Sequence, residues 1–127
     1  MRPVCSLQAS DVYLVRDQTY KGRCVVAYQK HLSDLHELDA EAQSLYLKDL
    51  CTVSSALASL YHSDKINLAV YGDKLPHLHF HVVPKYADGA DFGEPFVPNP
   101  KEPRFLSDLD FAIRIGEIKH ALNEVKE

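Results

Sequence analysis

Histidine occupies every second position from His77 to His81, and the apolar residues Leu78 and Phe80 stand between them. Successive side chains of a β-strand point to opposite faces, so this alternation predicts three imidazoles side by side on one face. Imidazole titrates near neutral pH and can act as a nucleophile, a base, an acid or a metal ligand. The row therefore predicts a chemically active surface.

Two chemistries suit such a row of imidazoles. If one ring attacks phosphorus, a neighbouring ring can protonate the leaving group or bind the phosphoryl oxygens. The loop just upstream, from Gly72 to Leu75, could offer backbone N–H groups to a phosphate. Alternatively, His-x-His on a strand is a good arrangement for zinc or copper, although an unbroken row spreads the rings along the strand. The spacing leaves nucleophile and metal ligand both open.

Bulk composition narrows the class of protein. A chain of 127 residues fits one domain, expected over 1–127. The net charge of −4 argues against a broad nucleic-acid-binding surface, but it leaves room for one small anionic ligand. The three cysteines form no Cys-x-x-Cys pair, so a cysteine zinc site is not expected. Met1–Ser10 resembles no signal peptide, and no stretch has the length of a membrane span, so we expect a cytoplasmic protein.

Four stretches rich in β-branched and aromatic residues predict the strands that position the histidines. The connection from Tyr71 to His77 is too short for a parallel crossover, so the strands on either side of it should be antiparallel. The predicted strands are Val12–Val15 at an edge, Cys24–Tyr28 in a central position, Ile66–Tyr71, and His77–Val83, which Pro84 stops.

Two amphipathic segments predict helices, and together with the strands they indicate an α+β fold. Asp39 can cap a long helix that runs to about His62, and Ser107 a C-terminal helix over 107–125. The segment 88–105 is rich in Gly and Pro, which is typical of a functional or loosely ordered loop. We expect a small antiparallel sheet with the long helix packed on it. The predicted buried stripes are Leu47, Leu50, Ser54, Leu57 and Tyr61, and Phe111, Ile115, Ile118, Leu122 and Val125.

The run Pro76–Pro84 resembles the signature of the histidine triad (HIT) superfamily, His-φ-His-φ-His-φ-φ, in which φ is apolar. The similarity extends to Gly22–His31, which resembles the family's second strand, and to Lys65–Leu68, which resembles a strand whose Asn contacts the nucleotide. The branch of bacterial diadenosine-polyphosphate-hydrolase-like proteins is the most similar. This resemblance implies a HIT-like fold with its core at about 11–86 and an antiparallel sheet of about five strands. It also implies a homodimer whose two sheets join into one.

The resemblance also implies roles for single residues. His79 would be the nucleophile that takes the α-phosphoryl group of a nucleotide. His77 would orient His79, partly through its backbone carbonyl, and His81 would contact the phosphate or the leaving group. Water would then release a nucleoside monophosphate, and no metal or other cofactor is needed. The implied nucleotide-binding residues are Asn67 at the ribose or phosphate, Asp17 at the ribose hydroxyls, and Gly72, Lys74 and Leu75 in the loop that faces the α-phosphate.

The sequence departs from the family pattern at Arg23, where many members carry a fourth histidine. Arg23 either replaces that histidine as a phosphate contact or points to solvent. His31 matches a family position, but a structural or surface role is expected for it. Asp73 and Lys74 stand where relatives often have Asn, Gln, Ser or Thr, so the substrate is less well defined than the chemistry.

Three functions are therefore compatible with the sequence. The first is a nucleotide hydrolase or transferase that acts on a nucleoside phosphoramidate or a dinucleoside polyphosphate through a covalent intermediate on His79. The second is a nucleotide-binding protein of the same fold with little turnover. The third is a metal-dependent enzyme. The intact histidine row favours the first.

Overall fold

The computed structural model is an antiparallel five-stranded sheet with two helices, which is the predicted α+β architecture. It describes residues 1–126, and side chains up to Glu124. Neither helix in the described part of the chain has the length and apolar character of a membrane span. The elements are β1 (Arg2–Ser6), β2 (Ser10–Leu14), β3 (Cys24–Tyr28), α1 (Ala40–Tyr61), β4 (Lys65–Val70), β5 (His79–Lys85) and α2 (Asp108–Lys126), with a short 3₁₀ helix at Leu35–Glu37.

The strand order is β1-β2-β3-β5-β4, so β3 is central as predicted and β1 and β4 form the two edges. The prediction that Val12–Val15 is an edge strand is wrong, because β1 pairs with β2 on its outer side. Patterning misses β1 because the strand contains Pro3 and has an irregular register between Pro3 and Cys5. Its alternation is therefore too weak to identify it.

The strand that carries the histidines begins and ends later than predicted. It starts at His79 rather than His77, and it continues through Pro84 to Lys85. Proline lacks the N–H that a strand needs in a central position. It is tolerated here because the pairing of β5 with β3 ends at Val82, after which β5 pairs with β4 alone.

Helix α1 begins where Asp39 accepts a hydrogen bond from the Ala42 N–H (2.8 Å), and His62 ends it in a left-handed conformation. Leu47 is 60% exposed, so its place in the predicted stripe is wrong. The buried residue at this point of the helix is the preceding one, Tyr46, so the periodicity placed this member of the stripe one residue too late. The fully or nearly fully buried residues of α1 are Tyr46, Asp49, Leu50, Val53, Ala56 and Leu57.

Helix α2 follows the predicted cap, since the Ser107 hydroxyl accepts a hydrogen bond from the Asp110 N–H (3.1 Å). Phe111, Ile118 and Leu122 are fully buried in the main core, while the side chain of Val125 lies outside the described residues. Both helices pack on the same core as Val12 and Val26 of the sheet, which defines a helix-covered face.

The second face of the sheet carries the histidines. Directly paired residues of antiparallel strands share a face, and His81 pairs with Val25 of β3 and with Ala69 of β4. The segment 88–106 runs across part of this face, where Phe96 is buried against Val83. Of the two alternatives for this loop, functional or loosely ordered, the second is wrong, because side chains of the sheet face hold the segment in place.

Candidate active site

Backbone carbonyls fix the rings of the first two histidines. Nδ1 of His79 lies 2.6 Å from the carbonyl oxygen of His77, and Nε2 of His77 lies 2.8 Å from that of Tyr28. A carbonyl can only accept a hydrogen bond, so Nδ1 of His79 must carry a proton. In the neutral ring, the lone pair of His79 is then on Nε2, the nitrogen available to attack an electrophile.

His77 does not belong to the strand that carries His79 and His81. Its N–H donates to the Leu75 carbonyl (2.8 Å) in a tight turn after Gly72, and its ring is 5.4 Å from that of His31. The expectation of three histidines in strict strand alternation is thus wrong for His77. Because the chain turns at His77, the backbone carbonyl of His77 lies within hydrogen-bond distance of the His79 ring.

His81 is half-buried within a shell of rings. Its centroid lies 5.3 Å from that of His79, 5.9 Å from that of Phe96 and 6.0 Å from that of Tyr71. Burial, together with the charges of Arg23 and His79, lowers the pKa of His81 to about 4. His81 is therefore a neutral imidazole at neutral pH.

Arg23 is only 4% exposed, so the alternative that it points to solvent is wrong. It donates through Nη1 to the Pro98 carbonyl (3.0 Å), and its Nη2 lies 3.4 Å from Nδ1 of His81. The guanidinium carbon lies 5.2 Å from the Phe96 ring centroid. Arg23 thus occupies the space between the histidines and the segment 88–106, and its Nε has no hydrogen-bond partner among the described residues.

A cavity of about 400 Å³ lies beside His81 and Arg23, and Asp17 also lines it. The carboxylate of Asp17 accepts hydrogen bonds from the N–H and hydroxyl of Thr19 (3.1 and 2.7 Å) and from the Arg104 N–H (2.9 Å). Burial raises the pKa of Asp17, but these hydrogen bonds and the charge of Arg23 outweigh it, so the pKa is lowered. The implied ribose contact is therefore also a tether for the chain at Arg104.

Asn67 lies in a second cavity of about 570 Å³, along the edge strand β4. Its side-chain oxygen lies 3.4 Å from Nζ of Lys85, which is only 2% exposed and also donates to the carbonyls of Asp91 and Glu94 (2.7 Å each). The structure therefore separates the residues implied to bind nucleotide. Asp17 and Arg23 line the cavity beside His81, and Asn67 lines the other.

The loop that precedes His77 contains the remaining implied contacts. Gly72 has a φ of +120°, a conformation that favours glycine, and it permits the turn toward the histidines. The side chains of Lys74 and Leu75 are exposed.

Three site residues escape sequence reasoning: Tyr20, Lys85 and Phe96. The Tyr20 hydroxyl accepts from the Val97 N–H (2.7 Å) and lies 2.5 Å from a carboxylate oxygen of Asp91. The hydrogen bonds of Tyr20 and Lys85 hold the segment around Phe96 in place, and Phe96 in turn contacts His81. The signal available for Phe96 was weak, because Phe92 and Phe105 stand in the same Gly- and Pro-rich stretch, and the sequence around Lys85 offers no signal.

Metal ligation was the open alternative for the histidine row. In the part of the chain that the structure describes, no group of three or more His, Cys, Asp or Glu side chains has an arrangement that could hold a metal ion. The turn at His77 removes one of the three rings from the strand, so the row is less suited to joint ligation than its sequence indicates.

This chain is similar in sequence and in structure to known proteins. The family model described as HIT domain matches residues 6–88. No curated protein matches the sequence.

Solved structures from several organisms have the same fold, and three of them are the following. A histidine triad protein from Bradyrhizobium japonicum is 21% identical, with a TM-score of 0.85 over 94% of this chain and 89% of its own. A histidine triad protein from Marinobacter aquaeolei is 22% identical, with a TM-score of 0.80 over 98% and 90%. Diadenosine triphosphate hydrolase from Plasmodium falciparum is 15% identical, with a TM-score of 0.71 over 97% and 77%. At these identities the similarity shows the fold.

Proposed function

The chain belongs to the HIT domain family, and on that premise we propose that it is a nucleotide hydrolase or transferase that cleaves at the α-phosphate through a covalent nucleotidyl-histidine on His79. The candidate substrates are dinucleoside polyphosphates and nucleoside phosphoramidates. One structure of the same fold is a diadenosine triphosphate hydrolase, which supports the first class. The bacterial diadenosine-polyphosphate-hydrolase-like branch, indicated by the loop before His77, is part of this proposal.

The contact between His79 and the His77 carbonyl is the observation that carries the proposal. It holds Nδ1 protonated and the lone pair on Nε2, which is the state that an imidazole nucleophile requires. A hydrogen bond to a fixed acceptor also stabilises the positive charge that develops on the ring as it attacks.

The reaction has two displacements. In the first, the Nε2 lone pair of His79 forms an N–P bond to the α-phosphorus, and the bond from that phosphorus to the leaving group breaks with its electron pair on the leaving group. In the second, a water oxygen attacks the same phosphorus, and the N–P electron pair returns to Nε2. One proton of the water passes to solvent, and a nucleoside monophosphate is released.

Turnover with matched AMP donors tests the proposal. The protein is incubated with diadenosine tetraphosphate or adenosine 5′-phosphoramidate in the presence of a chelator, and release of AMP is followed. We expect AMP from at least one donor and a trapped adenylyl-protein that is absent in His79→Ala. Activity lost in chelator and restored by zinc favours the metal-dependent alternative. Tight AMP binding without turnover, unchanged in His79→Ala, favours a nucleotide-binding protein.

A further inference from the structure

We infer that Arg23 is a positioning residue that fixes His81 as a neutral imidazole with its proton on Nε2, and that the site therefore favours phosphoanhydrides over phosphoramidates. The inference rests on the proposed function, because it concerns the leaving group of that same reaction. It depends on a residue of this chain that departs from the family pattern.

Arg23 distinguishes the two ring nitrogens of His81. A guanidinium has five N–H donors and no acceptor, and it stays protonated in proteins. Since Nη2 of Arg23 lies 3.4 Å from Nδ1 of His81, Nδ1 must accept. The proton of the neutral ring is then on Nε2. His79 has the opposite tautomer, because its Nδ1 donates to the His77 carbonyl.

The position of Arg23 is held by the protein itself. Its Nη1 donates to the Pro98 carbonyl, and its guanidinium packs against Phe96, which also contacts His81. The cation therefore stays beside Nδ1, and it opposes protonation of that nitrogen. The other titratable groups near His81 are His79 on the same strand, Tyr71 after β4, and Asp17 across the shared cavity.

A neutral His81 restricts the leaving group. Through Nε2–H it can donate a hydrogen bond, but a neutral imidazole is too weak an acid to transfer that proton. An amine leaves phosphorus only after its nitrogen is protonated, whereas a phosphate leaves as a stable anion whose last pKa is about 6. The pair of Arg23 and His81 therefore supports cleavage of a P–O–P bond without a general acid.

In the preferred reaction, the Nε2 lone pair of His79 forms the bond to the α-phosphorus, and the bond to the bridging oxygen breaks. The electron pair of the broken bond stays on the departing phosphate. His81 donates a hydrogen bond from Nε2 to the phosphate oxygens and keeps its proton throughout. No proton donor is required, so the step balances with the substrate and the chain alone.

Two-bond ¹⁵N–¹H spectra of the histidine rings test the tautomer directly, because they separate protonated from unprotonated ring nitrogens. The protein is labelled with ¹⁵N-histidine, and His81→Gln assigns the signal. We expect His81 at pH 7 with Nδ1 unprotonated and Nε2 protonated, and no imidazolium until the pH falls below about 5. An imidazolium, or the Nδ1–H tautomer, in the wild type at pH 7 overturns the inference.

Two variants test whether Arg23 is the cause. Arg23→Met keeps the length of the side chain without its donors, and we expect mixed tautomers and a raised pKa of His81. Arg23→Lys keeps a cationic donor, and we expect it to retain the wild-type pattern at least in part. Identical His81 spectra in a folded Arg23→Met and the wild type contradict a positioning role. If Arg23→Met does not fold, the wild-type spectra and Arg23→Lys still decide.

Substrate choice tests the consequence. We expect a kcat/KM for diadenosine tetraphosphate about 10²-fold or more above that for adenosine 5′-phosphoramidate, the lower end of what a general acid contributes. Arg23→Met should narrow this ratio, with a new acidic limb in the pH profile for the phosphoramidate. Equal or better cleavage of the phosphoramidate by the wild type overturns the preference. If neither donor is cleaved, the proposed function fails, and the ring spectra still decide the role of Arg23.

Discussion

The backbone carbonyl of His77 lies 2.6 Å from Nδ1 of His79, while the side chain of His77 reaches the Tyr28 carbonyl on β3. One residue thus has two separate tasks. Its main chain sets the tautomer of His79, and its ring ties the turn before β5 to the neighbouring strand. The two tasks can be separated by mutation, because a substitution at position 77 keeps the carbonyl.

We expect His79→Ala to lose far more activity than His77→Ala. Removal of the nucleophile in His79→Ala should lower kcat by about 10⁴-fold or more, the range seen when an essential nucleophile is deleted. In His77→Ala the carbonyl remains, so the adenylyl-protein should still form, but more slowly. Single-turnover rates of adenylylation measure both effects. An adenylyl-protein that survives in His79→Ala assigns the nucleophile elsewhere.

Asp17 offers a test of nucleotide orientation. If its carboxylate also binds the ribose hydroxyls, the wild type should bind AMP more tightly than 2′,3′-dideoxy-AMP. In Asp17→Asn the difference should shrink, because a neutral amide is a weaker acceptor than a carboxylate. Calorimetric titration with the two nucleotides gives the ratio of Kd values for each protein. A ratio that is the same in both proteins leaves Asp17 with only its tether to Arg104.

Asp17 also predicts how stability depends on pH. Its folded pKa lies below the unfolded value of about 3.9, so the ionised carboxylate stabilises the fold above that value. This contribution is lost as the pH falls through the folded pKa. We therefore expect the free energy of unfolding of the wild type to fall more steeply below about pH 5 than that of Asp17→Asn. Urea denaturation at a series of pH values measures both slopes, and parallel slopes contradict the assignment.

The α+β fold was accessible from sequence because its signals are local. Asp39 and Ser107 cap the helices through their own side chains, and the short connection from Tyr71 to His77 allows only antiparallel strands. The edge strand β1 and the start of β5 were not accessible, since both depend on what the neighbouring strands do. Pro84 shows this most clearly, because it is tolerated only beyond Val82, where the pairing of β5 with β3 stops.

The candidate site shows the same division between local and distant effects. The row from His77 to His81 identified the chemistry, since the residue types and their spacing are sufficient for it. The burial of Arg23 was not predictable, because Pro98 and Phe96 cover it from a segment about 75 positions later in the chain. Long-range packing therefore decides the charge state of His81, while the sequence indicates only that His81 is present.

The edge strand β4 is a candidate interface for the expected homodimer, in which the two sheets join. Leu68 is 47% exposed and Val70 37%, and an unpaired edge offers backbone hydrogen bonds to a second strand. If β4 forms the interface, Leu68→Lys should shift the protein toward monomer by placing a charge in it. Leu109→Lys is the matched control, because Leu109 is exposed on α2. Light scattering over a range of concentrations reports the mass.

A monomeric wild type over that whole range contradicts the dimer. Equal dissociation in Leu68→Lys and Leu109→Lys instead contradicts the assignment of the interface to β4, because α2 packs mainly against α1 and β1.

Asp49 is a buried carboxylate in α1 that accepts hydrogen bonds from the Ala9 N–H (2.8 Å) and the Ser10 hydroxyl (2.7 Å). It fixes the turn between β1 and β2 to the helix. Asp49→Ala should lower the free energy of unfolding by about 1–3 kcal/mol, since it leaves buried donors without an acceptor. Asp49→Asn keeps one acceptor oxygen and should cost less. Urea denaturation measures both, and the addition of Ser10→Ala should recover part of the loss in Asp49→Ala. An equal loss in Asp49→Asn and Asp49→Ala contradicts this account, because the charge, which both variants lack, would then be the stabilising feature and not the hydrogen bonds.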